Sequence, residues 1–152
     1  FVALNAQINS ANIGYKTMKN YKNLDFVVIN QREIQHELRD KHSKVEVLMK
    51  KLASDLKIKN LVVTRGVDGA VLYNSHKKNF NYSDAFTKNT VDKIGAGDSM
   101  LAIISMFLKT NCSYDLSLLA GSLAASQSTQ TLANKEAINK VNLIKSIEHI
   151  LK

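Results

Sequence analysis

Two short β-branched runs, Leu24-Asp-Phe-Val-Val-Ile29 and Asn60-Leu-Val-Val-Thr64, constrain this chain most, because helix-forming sequence lies between them. Apolar and only five or six residues long, they read as strands. The first breaks at Asn30 into Gln31-Arg-Glu-Ile-Gln-His-Glu-Leu38, a stretch of helical propensity. Ser43 to Leu56 then places Val45, Leu48, Met49, Leu52 and Leu56 at spacings of three and four. That is one apolar helix face, with lysines on the opposite side. Strands alternating with helices in this way indicate an α/β layered fold with a mostly parallel sheet.

The flanking segments fit the same scheme. Phe1-Val-Ala-Leu4 reads as a short buried strand, followed by a polar, turn-prone stretch from Asn5 to Gly14 and a helix or turn leading to Tyr21. After Thr64 the sequence Arg65-Gly-Val-Asp-Gly69 marks a tight turn, and β character resumes over Ala70-Val-Leu-Tyr73. With Phe80 and Tyr82 alternating, residues 70 to 82 read as a hairpin. Ser99 to Leu108 has helical length and composition. Residues 113 to 129 form a small-residue helix suited to close packing, and Asn139 to Lys152 closes the chain as an amphipathic helix.

Composition narrows the function classes. With 152 residues, 45% of them hydrophobic, the chain can bury a core and fits one domain spanning residues 1–152. The single cysteine, Cys112, excludes an internal disulfide framework and is compatible with a reducing compartment. No apolar run reaches membrane-spanning length, and the first residues lack the basic region of a signal peptide, so a cytoplasmic location is expected and no membrane partner. The absence of Met at position 1 and the immediate strand-like run lead us to expect that the chain starts inside a longer protein. A net charge of +8 raises nucleic-acid binding as a rival. The lysines, however, are spread over residues 16 to 22, 41 to 59, 77 to 88 and 135 to 152, with no aromatic-interleaved groove, and nucleic acid is not an expected partner.

Three polar clusters fall where strands of such a sheet end, the place where open α/β sheets bind ligands. The densest is Asp92-Lys-Ile-Gly-Ala-Gly-Asp-Ser-Met100, immediately before a helical run. Glycines at 95 and 97 let backbone amides turn inward, and a helix N-terminus adds positive potential, together a basis for holding phosphate. Asp98 suits a base that takes a proton from a hydroxyl attacking that phosphate, although from spacing alone a plain helix cap is the favoured reading. Asn30 and Glu33 could organise a hydrated magnesium ion, yet their spacing is also that of a capping box. Thr64 to Gly69 could approach phosphate or be only a hairpin turn.

In order and approximate spacing these clusters resemble the ribokinase, or PfkB, family of carbohydrate kinases. Gly95-Ala-Gly-Asp98, with Asp92 ahead of it, is similar to the family's Asp-Thr-x-Gly-Ala-Gly-Asp signature; Asn30-Gln-Arg-Glu33 to its Asn-x-x-Glu motif; and Thr64-Arg-Gly-Val-Asp-Gly69 to its Thr-x-Gly-x-x-Gly turn. The resemblance implies a ribokinase-like, three-layer α/β/α fold, present here only as its C-terminal, nucleotide-binding part. It implies Asp98 as catalytic base, Gly95, Ala96 and Gly97 as anion hole, and Thr64, Gly66, Gly69 and Asn134 as nucleotide-binding residues. Asn30 and Glu33 would act on magnesium through water, and Asp92 would belong to a monovalent-cation loop taking potassium. Within the family, Asn5-Ala-Gln-Ile-Asn and Ala133-Asn-Lys135 look most like kinases akin to the heptose-phosphate kinase part of ADP-heptose synthases.

The resemblance covers the whole chain but only the C-terminal half of the family's usual length. The other half supplies most sugar contacts and the lid that often mediates homodimerisation. Lys93 and Ile94 depart from the signature, where Thr or a small residue is common. Two functions follow from the resemblance. One is ATP-dependent transfer of a γ-phosphate to a sugar or sugar-phosphate hydroxyl, with residues 1–152 inactive by themselves. The other is a degenerate, non-catalytic nucleotide-binding or interaction module inside a larger protein.

Overall fold

A computed structural model of the chain describes residues 1–6, 17–86, 95–130 and 137–152. Five strands form one sheet in chain order: β1 (Ala3–Asn5), β2 (Phe26–Asn30), β3 (Asn60–Thr64), β4 (Ala70–Asn74) and β5 (Asn79–Ser83). β1, β2 and β3 pair in parallel, whereas β4 is antiparallel to both β3 and β5. Four strands therefore point one way and only β4 is reversed, the reversal being the hairpin expected over residues 70 to 82.

Five helices complete the described fold: α1 (Gln31–Leu38), α2 (Val45–Leu56), α3 (Ala96–Lys109), α4 (Tyr114–Thr129) and α5 (Lys140–Leu151). Alternation along the strands assigns each helix to a layer. Val27, Ile29, Leu61, Val63, Val71 and Tyr73 face one side, where Ile34 of α1 and Leu48, Met49, Leu52 and Leu56 of α2 cover them. Phe26, Val28, Val62, Ala70 and Leu72 face the other, against Met100 and Ile104 of α3 and Leu118 of α4. The result is a three-layer α/β/α architecture. Each fully buried side chain of the size of Ile34 or Leu72 stabilises it by roughly 1.5–3 kcal/mol.

α4 lies in the middle of its layer, which explains its small residues. A Cβ on Gly121 would sit 2.4 Å from Ile104 Cγ1, so the α3–α4 contact depends on a residue without a side chain. Another side of α4 buries Ala120, Leu123 and Ala124 against Ile103 of α3 and Leu143 of α5. No helix among the described residues is long and apolar enough to cross a membrane.

Several boundaries differ from the sequence expectation for identifiable reasons. Pairing starts at Ala3 opposite Phe26, leaving Phe1 and Val2 exposed instead of buried. Asp40 Oδ1 accepts from the N–H groups of His42 and Ser43, so α2 starts two residues after Ser43. α3 starts at Ala96, three residues before the expected Ser99, because its first turn, where N–H groups lack intrahelical partners anyway, accommodates Gly97.

Candidate active site

Strands β1, β2 and β3 end on Asn5, Asn30 and Thr64, and these three residues line one open cleft of about 840 Å³. The register of the sheet sets Asn30 beside Thr64 and Thr64 beside Ala70. Gly66, Gly69, Gly95, Ala96, Gly97, Asp98 and Glu33 line the same cleft. Every expected site residue that the structure describes is thus gathered on one side of the sheet's edge. Asp92 and Asn134 lie outside the described residues, as do Lys93 and Ile94.

The glycine turn has the geometry that its sequence anticipates. Gly95 is the N-cap of α3 with φ 85°, a left-handed conformation that glycine adopts without penalty. Ser99 N–H donates to the Gly95 carbonyl at 2.9 Å, closing the first turn. By helix geometry the N–H groups of the preceding residues have no intrahelical acceptor and present positive potential to the cleft. An anion is the natural occupant of such a place.

Asp98 is not the cap. It occupies the third helical position of α3, is exposed, and receives a hydrogen bond from Asn5 Nδ2 on its Oδ1 at 2.6 Å. The partners are 93 positions apart, bringing the end of β1 onto the start of α3. Asn5 is a cleft residue that sequence reasoning missed. It stood at the head of a polar stretch read as a turn, and only the parallel pairing of β1 with β2 carries it to the site.

Asn30 and Glu33 form the capping box: Asn30 Oδ1 accepts from Glu33 N–H and Glu33 Oε2 accepts from Asn30 N–H, both at 2.8 Å. The alternative reading of this pair is therefore present in the structure. It does not exhaust their chemistry. The Asn30 side chain is exposed on the cleft and retains its amide N–H donors, which suit a phosphate oxygen or a metal-bound water. Among the described residues there is no cluster of three His, Cys, Asp or Glu side chains placed for a metal. A magnesium ion would fit here only in the way hard, reluctantly dehydrated cations usually sit on phosphate sites, keeping waters that Asn30 and Glu33 would have to contact.

The turn after β3 is held tightly. Arg65 N–H donates to the Gly69 carbonyl at 2.8 Å, Arg65 Nη2 donates to the Asp68 carbonyl at 2.5 Å, and Gly66 and Gly69 have φ values of 62° and 77°. A Cβ on Gly66 would meet nothing within 4 Å. Its backbone is therefore open to a ligand lying in the cleft.

Comparison with known proteins agrees with this geometry. Residues 8–140 match the model of the pfkB family carbohydrate kinase. An uncharacterized sugar kinase of Buchnera aphidicola subsp. Schizaphis graminum is 27% identical over 132 residues, which make up 85% of this chain and 42% of the relative. Among solved structures, phosphofructokinase-2 from Escherichia coli in complex with substrates and products superposes with a TM-score of 0.74 at 21% identity, over 86% of this chain and 42% of that one. Ribokinase from Thermotoga maritima gives 0.75 at 20% identity, over 97% and 48%. Arabidopsis thaliana ribokinase complexed with ribose and ATP gives 0.67 at 21% identity, over 82% and 41%. At these identities the structural likeness is one of fold, and the chain spans less than half the length of each relative.

Proposed function

Because this chain belongs to the pfkB family of carbohydrate kinases, we propose that it forms the nucleotide-binding and catalytic-base half of an ATP-dependent sugar kinase. The observation that carries this reading is the placement of an exposed carboxylate, Asp98, in the first turn of α3, beside the glycine turn and in the same cleft as Asn30, Glu33 and Thr64. A carboxylate next to an anion site opposes resting phosphate binding, but it serves a hydroxyl that must lose a proton as it attacks.

In this reading the γ-phosphate rests on the backbone amides of residues 95 to 97. The acceptor hydroxyl gives its proton to Asp98 as its oxygen bonds to phosphorus, while the bond from phosphorus to the bridging oxygen breaks and ADP leaves. Thr64, Gly66 and Gly69 lie along the nucleotide, with Asn134. Magnesium, when bound, neutralises phosphate charge, and Asn30 and Glu33 hold its waters; Asp92 would serve a potassium loop. The acceptor is a sugar or sugar phosphate. Residues 1–152 by themselves are read as binding nucleotide without transferring phosphate, since by the family resemblance most contacts that position an acceptor come from the other half of the kinase.

Asp98→Asn in the full-length protein tests the assignment. The amide preserves size and can still meet Asn5, so folding should survive, while turnover should fall by roughly a hundredfold to ten-thousandfold. Near wild-type turnover, measured where chemistry limits the rate, would leave Asp98 without a catalytic role.

A further inference from the structure

Resting on the phosphoryl-transfer reading above, we propose that Asn5 is a positioning residue: its side-chain amide holds one oxygen of Asp98 so that the other faces the acceptor hydroxyl. Asp98 is exposed on the first turn of α3, and an exposed carboxylate there is free to exchange rotamers. Asn5 removes that freedom. Its Nδ2 donates to Asp98 Oδ1 at 2.6 Å, at the short end for an amide on a carboxylate. One carboxylate oxygen is thereby occupied, and Oδ2 is left to accept a proton.

The amide is itself anchored. Asn5 is the last residue of β1, paired with Val28, and the next residue, Ala6, donates its N–H to the Val28 carbonyl at 3.0 Å. Its side chain also rests on the glycine turn: a Cβ on Gly97 would lie 3.4 Å from both Asn5 Nδ2 and Asn5 Oδ1. Sheet, side-chain amide and α3 thus form one connected support, and the direction of the carboxylate is fixed before substrate arrives. Such preorganisation acts on the chemical step and leaves nucleotide affinity alone.

The test uses full-length protein and hydrolysis of Mg-ATP, followed by phosphate release, so that water is the acceptor. Asn5→Ala should lower kcat roughly tenfold with KM for Mg-ATP changed less than about twofold. Asn5→Asp, which sets a second carboxylate against Asp98, should lose more than Asn5→Ala. Asn5→Ser, whose hydroxyl is too short to span the gap, replaces either variant that fails to fold. The deciding measurement is the cycle with Asp98→Asn: if Asn5 acts through Asp98, Asn5→Ala causes no further loss in that background. Losses that multiply would overturn the proposal by showing that Asn5 acts on phosphate or on the fold. Wild-type kcat in Asn5→Ala beside an impaired Asp98→Asn would overturn it too and leave the kinase reading standing. Wild-type turnover by Asp98→Asn would overturn both.

Discussion

The Cβ that Gly69 lacks would lie 1.9 Å from the carbonyl oxygen of Ser83. The connection from β3 to β4 therefore passes directly against the end of β5, and this contact fixes the turn that carries Thr64 and Gly66 into the cleft. Gly66 shares only the positive φ, 62° against 77°, since Gly69 also has ψ −139°, and it has open space where its side chain would be. Gly69 therefore carries a steric cost, and a more restricted backbone, that Gly66 does not. Gly66→Ala should destabilise by about 1 kcal/mol, the cost of a left-handed alanine. Gly69→Ala should cost at least roughly 3 kcal/mol, since the backbone of β5 must also move. Urea unfolding midpoints check this, and equal losses would mean that the β5 contact yields easily.

Much of this arrangement was legible in the sequence, and the reasons differ by element. β3 and α1 lie at the bounds expected because each has a sharp signal, β-branched residues in one and a capping box in the other. The antiparallel hairpin was legible from its turn and from Phe80 and Tyr82. The three site clusters needed only local patterns, since each sits on a strand end or a helix start. What sequence did not reveal was contact across the chain. Asn5 touches Asp98 only because a parallel β1 lies beside β2 and α3 covers that face, a relation between residues 93 apart that no local period encodes. The same holds for Asp98 itself. Spacing allowed it to be a cap, and only the left-handed Gly95 at the N-cap position shows that the helix begins three residues earlier.

Asn30 has two possible tasks, and a substitution can divide them. Serine caps helices about as well as asparagine, so Asn30→Ser should keep α1 and change stability by only a few tenths of a kcal/mol. It removes the amide that reaches into the cleft. If Asn30 also holds magnesium-bound water or phosphate, the magnesium concentration needed for half-maximal turnover should rise roughly tenfold, the usual cost of losing an outer contact to a metal. A magnesium titration of the folded variant that overlays the wild type would confine Asn30 to capping.

The far end of the sheet offers a pH-dependent test of the fold, independent of catalysis. Asp25 Oδ1 accepts from Lys59 Nζ at 2.7 Å and its Oδ2 from the Val2 N–H at 2.7 Å, tying the start of β1 to β2 and β3. The Lys59 hydrogen bond, then the Val2 amide, hold the Asp25 carboxyl below the ordinary carboxylate value, against a smaller opposing effect of burial. A carboxyl whose folded value is depressed binds fewer protons folded than unfolded, so its stabilisation is complete above the unfolded value of about 3.9 and is lost as pH falls through the folded one. With the side chain one-fifth exposed at 20%, water screens much of the attraction. Asp25→Asn should therefore be less stable than wild type by only about 1 kcal/mol at neutral pH. The gap should close as pH falls below about 4 and through the depressed folded-state value, because the wild-type carboxyl becomes neutral there and resembles the amide. Urea midpoints across that range provide the check, and a gap that stays constant would mean that Asp25 stabilises this corner through packing and neutral hydrogen bonds instead of charge.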